Sequence, residues 1–172
     1  MQVFEVVDHI EFVQAVAGSS SLQEAAKKAG ELFSKFPGYK LFTLTVTHPD
    51  GSHVVRLYSS AGSSYGTSGT KPIEKEGSWY ERVLVQQKPF LGYTIEDVKD
   101  YFPDHEKIAA MGLGATLNLP VVVLGEVIGT VNLLDADHAY TEADANKSFA
   151  LSQALAPLFM KAREELAILP DS

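Results

Sequence analysis

"GATLNLPVVVLGEVIGTVNLLD" (residues 114–135) decides how the chain folds. Two uncharged runs flank Leu124-Gly125, and Glu126 is the only charged residue before the closing Asp135. Each run has the length and β-branched content of a strand, and the pair around a two-residue turn predicts a hairpin. Asn118, Thr130 and Asn132 stand inside these apolar runs. A buried amide left without a partner costs ~1–3 kcal/mol, so each needs one. Across a regular two-residue turn, even positions before it share a face with odd positions after it. Asn118 then faces with Val131 and Leu133, and Asn132 with Leu117 and Leu119. That register predicts one amide toward a cavity, Asn118 beside the strand-interrupting Pro120, and one bonded within the protein. A single extra residue would reverse the assignment.

Upstream, residues 40–47 and 52–60 read as a second hairpin around His48-Pro49-Asp50-Gly51. Phe42, Leu44 and Val46 alternate with Thr43, Thr45 and Thr47, so one face is apolar and the other polar. Beyond the turn, Val55 and Leu57 alternate with Arg56, Tyr58 and Ser60, which predicts that these three share the polar face. Lys88-Pro89-Phe90-Leu91 fits a short edge strand, since proline cannot donate to a central ladder.

Helices fill the remainder. Val3, Val6, Val7, Ile10, Val13 and Ala17 recur at three-four spacing over residues 3–17. Ser21 through Glu24 forms a capping box for a helix that Pro37-Gly38 ends. Ser78 through Glu81 opens a short helix to about Gln87, and Thr94 through Asp97 starts another to about Phe102. A turn or two from Asp104 to Met111 stops at Gly112, and Thr141 through Asp144 caps a long last helix that Pro157 bends. Hairpins at both ends of the strand order imply an α+β architecture with a mixed or antiparallel sheet.

The chain has 172 residues, the size of one domain. Zero cysteines remove disulfides, thiolate nucleophiles and sulfur-based metal sites. A formal net charge of −8, with no longer basic run than Lys27-Lys28, argues against nucleic acid. No apolar stretch reaches a membrane span, and the acidic start is unlike a signal peptide. These features predict a soluble cytoplasmic protein.

Leu119-Pro120-Val121, Gly125 and Ile128-Gly129-Thr130-Val131-Asn132-Leu133 resemble the terminal hairpin of GAF domains. Gly112-Leu113-Gly114 before it and the long helix after it extend the resemblance over residues 20–160. The resemblance implies a profilin-like, six-stranded antiparallel sheet with terminal helices on one face. It places a small-molecule pocket, roofed by short helices and loops, on the other. It divides one domain, residues 1–172, into a first helix (1–19), a core (20–160) and a last helix (142–169). Members bind cyclic nucleotides, tetrapyrroles, amino acids or other metabolites, and commonly pair through terminal helices. The chain departs from the family's cysteine-dependent members, which excludes a covalent bilin, and lacks the Asn-Lys-Phe-Asp-Glu signature of the cyclic-nucleotide subset. With no output domain in the sequence, signal is expected to pass through a partner or a homodimer.

Candidate ligand contacts follow from residue chemistry. Arg56 either lies at the sheet's wet rim or enters a cavity, where a bidentate carboxylate would satisfy it. Tyr58 and Ser60 are expected beside it. Tyr65, in the small-residue loop 59–70, and Lys71 after it suit a lid, although Gly66, Gly69 and Lys71 lack phosphate-loop spacing. Trp79, the single tryptophan, is either core or ligand platform. His105, with Asp104 or Asp97, could act as acid and base, or simply be solvated. His48 and His53 straddle a turn with Asp50, a weak metal pattern that leaves no metal assigned. The reading is a regulatory domain for an anionic metabolite, contacted by Arg56, Tyr58, Ser60, Tyr65, Lys71, Trp79, His105 and Asn118. An enzyme on the same cavity, or a ligand-free dimerisation module, are the alternatives.

Overall fold

A computed structural model describes residues 2–62 and 70–168, with residues 2–7 and 168 by backbone alone. Tyr65 and the side chains of Val3, Val6 and Val7 lie outside the described residues.

The helices α1 (Gln2–Gly18) and α2 (Leu22–Lys35) lead into strands β1 (Leu41–Thr47), β2 (His53–Ser59) and β3 (Thr70–Pro72). A π-helical segment, Tyr80–Val85, precedes β4 (Phe90–Gly92) and the short helices α3 (Ile95–Val98) and α4 (His105–Ala110). Then come β5 (Ala115–Val123), β6 (Glu126–Asp135), α5 (Glu142–Ser152), a 3₁₀ turn and α6 (Ala156–Ile168). The strands form one six-stranded antiparallel sheet in the order β3-β2-β1-β6-β5-β4. Thr70–Pro72 is the strand that residue patterning missed. It is short, exposed and polar, and it is defined by backbone pairing with His53–Val55.

The predicted β5–β6 hairpin forms, and Leu124 (φ 50°) and Gly125 (φ 82°) both take the left-handed conformation that a twisted two-residue turn requires. Pairing runs regularly from Val123↔Glu126 to Val122↔Val127, then resumes at Val121↔Gly129. Ile128 is therefore an extra residue, and it moves every later β6 side chain to the opposite face. Asn118 stands directly opposite Asn132. The expectation that the two amides face apart is corrected: they share one face, by the one-residue bulge.

A second bulge acts on β2. Thr45 pairs with Arg56, but Leu44 pairs with Tyr58, so Leu57 is the added residue. Arg56 keeps to the face of Thr43 and Thr45, while Tyr58 turns to the apolar face, 5.8 Å from the Phe42 ring. Ser60 follows it, its hydroxyl accepting the Phe42 N–H at 2.9 Å. The predicted common face of Arg56, Tyr58 and Ser60 is thus broken after Arg56.

The apolar face holds the core. Phe42, Leu44, Leu117, Leu119, Val131 and Leu133 pack there with Phe33 of α2 and Leu155, Leu158 and Phe159 of the last helical stretch. A Cβ at Gly129 would fall on the Phe159 ring and 2.7 Å from the Thr45 carbonyl oxygen, so only glycine lets α6 approach here. Among the described side chains of α1, Phe12 and Val16 make the core contacts, whereas Ile10 and Val13 of the predicted stripe are exposed. Phe12 meets the Phe33 ring edge-on at 4.7 Å, a larger buried contact than either aliphatic side chain offers.

Caps follow the sequence with local changes. The Thr141 and Asp144 capping box forms as expected, and the helix expected at Thr94 starts there, with Asp97 accepting the Thr94 N–H. Ser21 accepts the Glu24 N–H, but the Glu24 carboxylate reaches one residue further, to the Ser20 N–H and hydroxyl. Ser78 donates its hydroxyl proton to Tyr101 instead of capping. Pro157 turns the last helix through the 3₁₀ segment Gln153–Leu155. There Gln153 accepts the Val122 N–H and donates to the Pro120 carbonyl, closing the stretch of β5 that β4 does not cover.

Tyr140 ties this last connection to α2, donating to the Gly38 carbonyl at 2.9 Å. Burial pushes its phenol well above the ordinary 10.0, and burial also raises Tyr39 and Tyr58. Above pH 10 unfolded tyrosines release protons that the folded ones retain, so stability must fall as pH rises past that point. Denaturant midpoints at pH 7 and 10.5 test this. Tyr140→Phe is expected to lose about 1 kcal/mol at pH 7, and to decline less steeply than the parent at alkaline pH.

Candidate functional site

The polar face of the sheet is the floor of a cavity of about 430 Å3. Thr43 and Thr45 of β1, Thr130 and Asn132 of β6 and Asn118 of β5 supply the floor. Arg56 rises from β2, Lys71 from β3, and Trp79 stands at the opposite side. The α3–α4 connection, from Asp100 to Asp104, closes the remaining wall. Leu41 and Leu134 pack with Ile108 and Leu113 into a small apolar cluster that seals one end.

The floor is one hydrogen-bond chain. Trp79 Nε1 donates to Asn118 Oδ1 at 3.0 Å, and Asn118 Nδ2 donates to Asn132 Oδ1 at 2.8 Å. Asn132 Nδ2 then donates to Thr45 Oγ1 at 2.8 Å and to Thr43 Oγ1 at 3.2 Å. Both amides are nearly out of solvent, at 4% and 9% exposure, and each is satisfied by the other. An indole N–H donates only, so it fixes the orientation of both amides and the direction of the chain.

Of the residues singled out in the sequence, Arg56, Lys71, Trp79 and Asn118 line this cavity. Lys71 Nζ donates to the Tyr101 carbonyl at 3.4 Å and lies 5.9 Å from the Phe102 ring centre. Tyr58 and Ser60 are on the helix-covered face, and Tyr65 is outside the described residues. His105 is not among the lining residues; its Nδ1 lies 2.9 Å from the Phe102 carbonyl, which assigns the proton to that nitrogen. Of the two carboxylates anticipated beside His105, Asp97 accepts the Tyr93 and Thr94 N–H groups, and Asp104 lines the cavity, which His105 does not.

Residue patterning did not point to Asn132, for want of the bulge, nor to three carboxylates of the lining, Glu74, Glu76 and Asp100; Asp104, anticipated as a partner of His105, lines the cavity without it. The threonine alternation of residues 43–47 was the signal for the floor, and it lay in plain view.

The His48, Asp50 and His53 group has its ligand atoms within 4.8 Å of one another. Its geometry is that of a turn. Asp50 donates its N–H to His48 Nδ1 and accepts the Ser52 hydroxyl and N–H at its carboxylate, and those Ser52 bonds hold the carboxylate down to about 2. The two imidazoles stack at 4.6 Å with planes 25° apart.

No family model and no curated protein matches the sequence. Solved structures do. The GAF domain of a phosphoenolpyruvate-protein phosphotransferase (ptsP) from Coxiella burnetii superposes with a TM-score of 0.71 at 16% identity, over 95% of this chain and 97% of that one. The GAF domain of the Acinetobacter phosphoenolpyruvate-protein phosphotransferase gives 0.71 at 14% identity, with all of both chains covered. Residues 122 to 287 of a methyl-accepting chemotaxis protein give 0.65 at 14% identity, over 91% of this chain and 99% of that one. The chain has the GAF fold across nearly its whole length. Among the described residues no helix is long and apolar enough to cross a membrane.

Trp79→Phe keeps the ring and removes the N–H that orients the floor. It is expected to destabilise the protein by about 1–3 kcal/mol, because the buried Asn118 carbonyl loses its donor. Chemical denaturation followed by far-ultraviolet circular dichroism measures this without depending on the lost tryptophan. Unchanged stability would show that the indole bond carries nothing.

Proposed function

We propose that this GAF-fold chain is a small-molecule sensor module, whose cavity takes a metabolite bearing an anionic, acceptor-rich group. The observation that carries the reading is the cavity floor: a satisfied polar chain of Trp79, Asn118, Asn132, Thr43 and Thr45 beneath an open hollow. A module serving only to dimerise gains nothing from two buried amides where apolar side chains would pack at no desolvation cost. A hollow of about 430 Å3 is the size that encloses one small metabolite. Arg56 and Lys71 supply the cations, and Trp79 the aromatic wall. GAF domains of a phosphotransferase and a similarly folded part of a chemotaxis protein support a regulatory role.

Ligand at a hundred times its Kd adds about 2.7 kcal/mol of stability, which for a chain of this size raises the melting midpoint by about 5–10 °C. A thermal-shift screen of carboxylate and phosphate metabolites is expected to yield such a shift, and Arg56→Ala to abolish it. Shifts indifferent to Arg56 would count against the reading, as would none in the screen and no small molecule retained in native mass spectrometry.

The module acts as a homodimer in this proposal. Ile10 and Val13 on α1 and Met160 on α6 are each about half exposed, apolar surface that the chain's own core does not use. Sedimentation of the parent is expected to give a dimer and of Ile10→Lys/Val13→Lys a monomer; a monomeric parent would refute it.

A further inference from the structure

Resting on the sensor reading, we infer that the ligand is a small zwitterion, its carboxylate seated on Thr43, Thr45 and Arg56 and its ammonium at the acidic mouth. The direction of the floor's hydrogen bonds comes first. Because the indole of Trp79 only donates, Asn118 must turn its carbonyl to it, and Asn132 must turn its carbonyl to Asn118. Both N–H groups of Asn132 therefore end on threonine oxygens. Each hydroxyl, having accepted, keeps a proton to give, and neither gives it to any described residue. Arg56, opposite Thr45 across the β1–β2 pair, carries donors only. This end of the cavity offers donors, and a carboxylate with two oxygens and about four lone-pair sites answers them.

The lining as a whole is not cationic. Against Arg56 and Lys71 stand the carboxylates of Glu74, Glu76, Asp100 and Asp104. Glu74, Glu76 and Asp100 are exposed, so they act where the cavity opens, within a Debye length of about 8 Å at physiological salt. A phosphorylated or multiply anionic ligand would answer the two cations and be repelled by the rest. A molecule of zero net charge with separated ends matches both, and its ammonium can keep part of its hydration at the mouth. The anionic group expected from the sequence is thus one end of the ligand, not its net charge.

The test is a thermal-shift panel on the full chain, with hits measured by titration calorimetry. It contains free α-amino acids with uncharged side chains and ω-amino acids of two to six carbons. Beside each stand its N-acetyl derivative and its carboxamide, and the panel also holds succinate and pyrophosphate. At least one free zwitterion is expected to bind, and to bind at least tenfold more tightly than either of its blocked forms. Thr45→Val should weaken it tenfold or more and Thr45→Ser restore it to within threefold. Glu74→Gln/Asp100→Asn should weaken the zwitterion and leave its N-acetyl derivative unchanged or tighter. Binding confined to succinate or pyrophosphate and lost in Arg56→Ala would overturn the zwitterion and leave the sensor cavity standing. No binding by any compound, with no small molecule retained in native mass spectrometry, would overturn both.

Discussion

The bond between Asn118 and Asn132 is the constraint on which the site depends. Two amides facing each other across neighbouring strands, both nearly out of solvent, are tolerable only if each serves the other. Once they are paired, the remaining groups have few choices. The free carbonyl lone pair of Asn118 needs a donor, which Trp79 provides, and the amide protons of Asn132 need acceptors, which the β1 threonines provide. Polar groups that would break an apolar core become the floor of a cavity.

That pairing is made by one residue. Strand side chains alternate with a strict period of two, so Ile128 as an insertion exchanges inside for outside along the rest of β6. Leu57 does the same on β2, holding Arg56 toward the cavity and sending Tyr58 to the core. Alternation read from residue types made the strands, the terminal hairpin and the threonine stripe legible, because burial sorts those side chains by chemistry. It could not show the bulges. Ile128 and Leu57 are ordinary strand residues, and nothing in their composition distinguishes an insertion from the next step of the ladder. Thr70–Pro72 escaped for a related reason: an exposed edge strand buries nothing, so no hydrophobic pattern marks it. His105 was attractive for its chemistry, and its backbone contact with Phe102 is a matter of helix entry that composition does not report.

Strand β6 joins the cavity to the helical layer. Its even positions, Thr130 and Asn132, line the hollow, while Val131 and Leu133 between them pack in the core with Phe159 beside Gly129. A ligand that draws on the floor therefore pulls on a strand whose other face carries α6. Such an arrangement transmits occupancy only to the extent that the ligand prefers one helix arrangement over another. The absence of a Cβ at Gly129 leaves no slack there, because the α6 ring fills the space a side chain would occupy.

A double-mutant cycle on Asn118→Ala and Asn132→Ala, by denaturant unfolding of the parent, both single variants and the double, examines the amide pair itself. The account predicts a coupling energy of about 1–3 kcal/mol, the double variant losing far less than the two single losses added together. Losses that add to within about 0.5 kcal/mol would mean that the two amides do not meet. The register, the floor and the cavity built upon them would then be wrong.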